Sequence, residues 1–134
     1  EFNANESKDL KLLQIWLFTN KRDVKPRYQQ ISIRNISLKN EFYQILSPNE
    51  SDQGVWIYQN AWFHLGSFDE PVTKTYKIKD SKNGLYVFVI DGEAEIEGQK
   101  LNIRDGFGIW GKNEISIEAK ANSKILFMDV PMYV

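Results

Sequence analysis

LYVFVIDGEAEIEGQKLNIRDGFGIW, residues 85–110, reads as one meander. Four short strand-like runs are separated by three glycine-bearing turns, Asp91-Gly92, Glu97-Gly98 and Asp105-Gly106. Turn pairs of this kind between alternating apolar runs mark antiparallel hairpins. Glu93, Glu95 and Glu97 alternate with Ala94 and Ile96. Period-two alternation places the three carboxylates on a solvated sheet face, not in a reaction site.

The same rhythm extends outward. Downstream, residues 114–119 (EISIEA) turn Ile115, Ile117 and Ala119 one way, and 124–130 (KILFMDV) end at Pro131. Upstream, residues 55–58, 61–68 and 73–78 are strand candidates, and a polar loop closes on the turn pair Asn83-Gly84. Residues 47–54 are a turn cluster, and 28–36 (YQQISIRNI) read as a half-buried strand. Residues 10–18 (LKLLQIWLF) are continuously apolar and read as a strand buried on both faces. Roughly ten short strands without a convincing helix predict an all-β protein, an antiparallel sandwich or barrel.

A chain of 134 residues carries one sizeable core. Its 17 basic and 18 acidic side chains nearly cancel, so no global field recruits nucleic acid or a membrane surface. The basic residues Lys21, Arg22, Lys25 and Arg27 are interrupted by Asp23 and Pro26, which reads as a solvated loop. The absence of cysteine excludes thiolate chemistry and leans towards a reducing, cytoplasmic compartment. No run reaches the ~18 apolar residues of a membrane helix. The only histidine, His64, excludes two- and three-histidine metal sites built from this chain alone. His64 sits in a strand-like run without a nucleophile elbow and reads as a partly buried ring satisfied by a backbone group. No phosphate-binding glycine motif occurs. The four tryptophans read mainly as packing, with a sugar-stacking platform as the functional alternative.

From Gly98 the spacing runs five residues to Arg104, then Asp105, Gly106, two residues, Ile109, three residues and Asn113. This resembles the second conserved motif of the cupin superfamily, with Arg104 in the proline place and Ile109 in that of the metal-binding histidine. The first cupin motif, ending at Gly92, places its glutamate at Leu85 and its histidines near Lys79 and Ser81. All four ligand positions, Lys79, Ser81, Leu85 and Ile109, hold residues other than the expected ligands. The flanks narrow the resemblance. Residues 13–30 (LQIWLFTNKRDVKPRYQQ) are similar to the interdomain segment of pirin-like bicupins. Gln59-Asn60-Ala61-Trp62-Phe63 and Leu126-Phe127-Met128-Asp129-Val130-Pro131 resemble their second barrel.

The resemblance implies a cupin-type sandwich (a double-stranded, jelly-roll-like barrel) over residues 31–134. Residues 1–30 would then be the tail of an N-terminal cupin domain and the linker. It implies no cofactor in this chain, with iron or another divalent metal held by the N-terminal barrel. The opening Glu1-Phe2-Asn3 lacks a methionine and resembles the family's H-S-E-F-N segment cut after the serine, although a cloning scar also explains Glu1-Phe2. On the family reading Glu1 is the carboxylate ligand of that upstream site. The parent protein would be a dioxygenase of the quercetin 2,3-dioxygenase type, and this chain alone inactive and structural. Two alternatives stand beside it: a regulatory, protein-binding pirin linked to transcription, and a carbohydrate-binding sandwich with Trp62 or Trp110 in a shallow groove. The expected partners are the N-terminal barrel and a second copy of the chain paired through residues 10–18.

Overall fold

The computed structural model describes residues 2–34, 36 and 38–132. Among them the alternation becomes ten strands and no helix: β1 (Phe42–Ser47), β2 (Val55–Trp56), β3 (Trp62–Phe68), β4 (Val72–Lys77), β5 (Asn83–Asp91), β6 (Ala94–Ile96), β7 (Gln99–Leu101), β8 (Gly106–Ile109), β9 (Glu114–Ala119) and β10 (Ser123–Pro131). A six-stranded sheet, ordered β2-β1-β3-β10-β5-β8, faces a four-stranded one, β4-β9-β6-β7. Every ladder is antiparallel except the two-residue β1–β2 pairing. The protein is the predicted antiparallel sandwich.

Register decides where the core sits. On β9, Ile115, Ile117 and Ala119 point inward while the residues between them are exposed. On β5, Leu85, Val87 and Val89 meet Ile109, Ile125 and Phe127 between the sheets. The opposite phase of the six-stranded sheet builds a second apolar layer, with Phe63, Leu65, Leu126 and Met128 packed against Leu17, Ile33 and Leu38. β10 is therefore apolar on both faces, as its unbroken ILFM run requires.

The turns divide between glycine and other residues. Glu97 and Gly98, with φ of 51° and 81°, make the two-residue hairpin between β6 and β7. At Asp105-Gly106 the left-handed residue is Arg104, with φ of 71°, and Gly106 already belongs to β8. Proline is locked near −65° and has no N–H. At position 104 it would clash with that φ and lose the 2.7 Å bond from Arg104 N to Val89 O. Gly106 makes room for a neighbour: a Cβ there would lie 2.1 Å from the Tyr86 hydroxyl, so that ring would have to shift.

Residues 10–18 form no strand, contrary to the sequence reading, and they are not buried on both faces. Trp16 is 84% exposed and Phe18 83%, while Leu17 alone enters the second apolar layer. Residues 28–34 form none either; Asn35 lies outside the described residues. An extended segment needs a free sheet edge, and the edge at β2 is occupied by side chains. Arg27 donates through Nη1 to Trp56 O and lies 3.9 Å over the Trp56 ring. Gln29 Oε1 accepts from Trp56 N at 3.2 Å and from Arg27 Nη2 at 2.8 Å. Both outward groups of Trp56 are thus satisfied without a neighbouring strand. Arg27→Ala is expected to cost about 1–2 kcal/mol in urea unfolding. Arg27→Lys should recover little of it, because an ammonium cannot lie flat on the indole and donate to the carbonyl together.

Candidate functional site

The four positions singled out by the cupin-like spacing separate into two pairs. Leu85 and Ile109 sit directly opposite each other on β5 and β8, and both are buried in the inter-sheet core. Lys79 and Ser81 lie exposed in the loop before β5. Among the described residues no cluster of three or more His, Cys, Asp or Glu side chains could hold a metal ion. Glu1 lies outside the described residues.

The buried polar chemistry is elsewhere in the same interior. β3 carries His64, β4 carries Tyr76, β5 begins with Asn83, and β10 carries Asp129; all four side chains are buried. His64 Nδ1 is 3.0 Å from the Tyr76 hydroxyl, which lies 3.4 Å from Asp129 Oδ2. Asp129 Oδ2 also accepts from Lys79 N at 2.8 Å, and Oδ1 accepts from Asn83 Nδ2 at 2.7 Å. Asn83 Nδ2 donates again, to Asn60 O, at 3.0 Å. His64 is therefore satisfied by a phenol, not by the backbone group expected from sequence. Asn83 closes the turn before β5, its N–H donating to Asp80 O at 2.9 Å, and its side chain is also the hinge of a network that joins both sheets.

A hydroxyl has one proton to give. The ordering that uses both contacts runs from His64 Nδ1–H to the Tyr76 oxygen, and from the Tyr76 hydroxyl to Asp129. Burial, reinforced by the Lys79 charge, lowers the His64 pKa to about 4, so the ring is neutral at pH 7. Burial raises the pKa of Tyr76, helped by the charge and hydrogen bond of Asp129. Burial also pushes Asp129 upward, against the hydrogen bonds from Lys79 N, Asn83 and Tyr76 and the Lys79 charge. A closed set of donors and acceptors of this kind holds two sheets in register.

Residues 44–130 match the family model of the quercetinase C-terminal cupin domain. The chain belongs to that family. Quercetin 2,3-dioxygenase of Escherichia coli O157:H7 is 28% identical over 131 residues, covering 98% of this chain and 55% of that protein. A putative quercetin 2,3-dioxygenase of Pasteurella multocida is 26% identical over 132 residues, with 97% and 55% covered. The chain spans about half the length of the curated relatives it matches. YhhW from Escherichia coli shares the fold, with a TM-score of 0.77 at 24% identity over 87% of this chain and 48% of that one. The bacterial pirin YhhW in complex with nickel(II) gives 0.73 at 25% identity, over 84% and 47%.

In this cupin domain a cleft of about 780 Å³ lies apart from the network, between residues 13–29 and the β1–β2 edge. Leu13, Ile15, Trp56 and Tyr58 line it, with Arg27 at its side. No member of the His64–Tyr76–Asp129–Asn83 network reaches it. Sequence reasoning missed Tyr76, Asn83 and Asp129 as a unit, although one signal was present. Asp129 falls in the same strand phase as Ile125 and Phe127, and a carboxylate in a core phase needs donors around it.

Proposed function

We propose that this domain is the structural, non-catalytic half of a pirin-like two-barrel protein. Oxygen chemistry of the quercetin 2,3-dioxygenase type would belong to an N-terminal barrel holding iron or another divalent metal. The observation that carries this reading is the interior: the only histidine is committed to Tyr76, and Leu85 and Ile109 fill two of the ligand places. The relatives' names supply the reaction class, and the nickel(II) complex of YhhW gives a precedent for a metal in a similar protein. In this proposal residues 1–30 are the tail and linker of the first barrel, and Glu1 is a carboxylate ligand there. The location is the cytoplasm, in keeping with a cysteine-free sequence. No helix of the described residues is long and apolar enough to cross a membrane.

Loading the chain with Fe(II) and then removing excess metal tests the reading. Substoichiometric iron is expected, and one tightly held ion per chain overturns it. With the intact two-barrel protein, O2 uptake with quercetin supports the enzyme. Iron-dependent partner binding without turnover supports the regulatory alternative. An exposed apolar stripe bears on assembly under either reading. That stripe, Leu10, Leu12, Leu13, Ile15, Trp16 and Phe18, is the proposed contact for the N-terminal barrel or, in the isolated chain, for a second copy. Sedimentation of the chain should show concentration-dependent dimers that Trp16→Ser weakens; a monomer at every concentration counts against pairing through this stripe.

A further inference from the structure

One end of the sandwich, where β3 and β5 begin and β10 ends, carries two adjoining clefts. The first, about 380 Å³, is lined by Tyr58 and Trp62 together with Asn20, Asn49, Asn60 and Asp80. The second, about 370 Å³, is lined by Lys21, Arg22, Lys82 and Asn83. Asn20, Lys21, Gln59, Asn60 and Asp80 border both. Each cleft lies at the lower end of the range that takes small molecules.

The loop bearing Asn20, Lys21 and Arg22 is held in place. Asn20 N donates to Tyr58 O at 2.7 Å, and Gln59 Nε2 donates to Phe18 O at 2.8 Å. The Thr19 hydroxyl closes the loop onto Lys21 O at 2.6 Å. Gln59 spends its other end on Asn60 N at 2.9 Å, and Asn60 O receives Asn83. These bonds use the main chains of Asn20 and Asn60 and leave their carboxamides uncommitted. None of Lys21, Arg22 and Lys82 is in an ion pair among the described residues. The single carboxylate of the clefts, Asp80, accepts from Lys82 N at 2.9 Å. Three cations beside one carboxylate leave an excess of positive charge on a loop already ordered before any ligand arrives, which lowers the cost of binding.

We propose that this end of the sandwich binds a small polyhydroxylated anion, a sugar carrying a carboxylate or a phosphate. Trp62 and Tyr58 offer apolar rings with polar tips to the C–H face of the sugar. Asn20 and Asn60 each present a donor and an acceptor, as vicinal hydroxyls require. Lys21, Arg22 and Lys82 meet the acid group through charge-assisted hydrogen bonds. The cationic loop that reads as merely solvated in the sequence thus gains a role. Trp110, though 67% exposed, lines neither cleft. This inference goes beyond the structural role proposed above and does not depend on it.

Titrating the 134-residue chain with galacturonate, glucose 6-phosphate and neutral galactose, by calorimetry and tryptophan fluorescence, tests the proposal. At least one anionic sugar should bind with a dissociation constant of about 1 mM or tighter, and galactose about ten-fold more weakly or worse. Trp62→Phe should abolish the fluorescence change, and K21E/K82E, on exposed positions, should weaken anionic binding about ten-fold or more. The tighter of the two anions identifies the acid group. Absence of binding by both anions, equal binding of galactose, or an unchanged affinity in K21E/K82E overturns the proposal.

Discussion

Asp129→Ala is expected to remove about 3 kcal/mol of folding stability, because it strands two buried donors and a part-buried one at once. Lys79 N, Asn83 Nδ2 and the Tyr76 hydroxyl all point at this one carboxylate, which has no solvent exposure. Asp129→Asn preserves the shape but not the chemistry. Its single carbonyl oxygen can face Lys79 N or Asn83, and its amide then opposes the other donor. A loss of about 2 kcal/mol follows. Tyr76→Phe removes only the hydroxyl and should cost about 1 kcal/mol, since the ring keeps its stacked contact with Phe127 at 5.9 Å. Urea unfolding at pH 7 gives the ranking directly. An Asp129→Asn chain as stable as its parent would show that the carboxylate does not hold the sheets together.

The outline of the sandwich was legible because its strands alternate and its turns carry their own chemistry. β9 coincides with residues 114–119 as read, and the Glu97-Gly98 hairpin is where that turn pair demands it. Residues 10–18 misled for a physical reason. Hydrophobicity states that a segment wants cover, not that the same chain supplies a strand to pair with it. Arg27 and Gln29, which cap the β2 edge through their side chains, leave no period in the sequence.

The site followed a similar division. Motif spacing singled out Leu85 and Ile109, and the two lie opposite each other in the inter-sheet core. Lys79 showed the limit of that method. Its side chain is exposed, yet its main-chain N–H is a donor to the buried carboxylate, a role no residue identity encodes. Asn83 and Asp129 lie 46 positions apart. Their pairing depends on the β5–β10 register, which is a property of the folded sheet and not of either strand alone.

Acid should destabilise the fold through His64 before the ordinary carboxylates titrate. The ring has a pKa of about 4 when folded and about 6.5 when the chain is unfolded. Between these values the unfolded chain takes up a proton that the folded chain refuses, so stability falls as pH drops from about 6.5 towards 4. The accumulated loss approaches about 3 kcal/mol. Asp129 acts in the opposite sense. Its folded pKa is raised, so the folded chain is protonated first, and part of the loss is recovered as pH falls through that raised value. At the alkaline end Tyr76 keeps its proton when folded, and stability declines as pH rises past the ordinary phenol value of about 10. Urea midpoints measured from pH 7 to pH 4.5 should therefore fall more steeply in the parent chain than in His64→Gln. Exposed acids such as Glu97, whose pKa is lowered first by its Lys112 hydrogen bond, contribute equally to both chains and cancel in the comparison. Parallel pH profiles for the two chains would mean that the His64 ring is protonated inside the folded sandwich as readily as outside it. The neutral His64–Tyr76 contact would then not be what makes the barrel interior sensitive to acid.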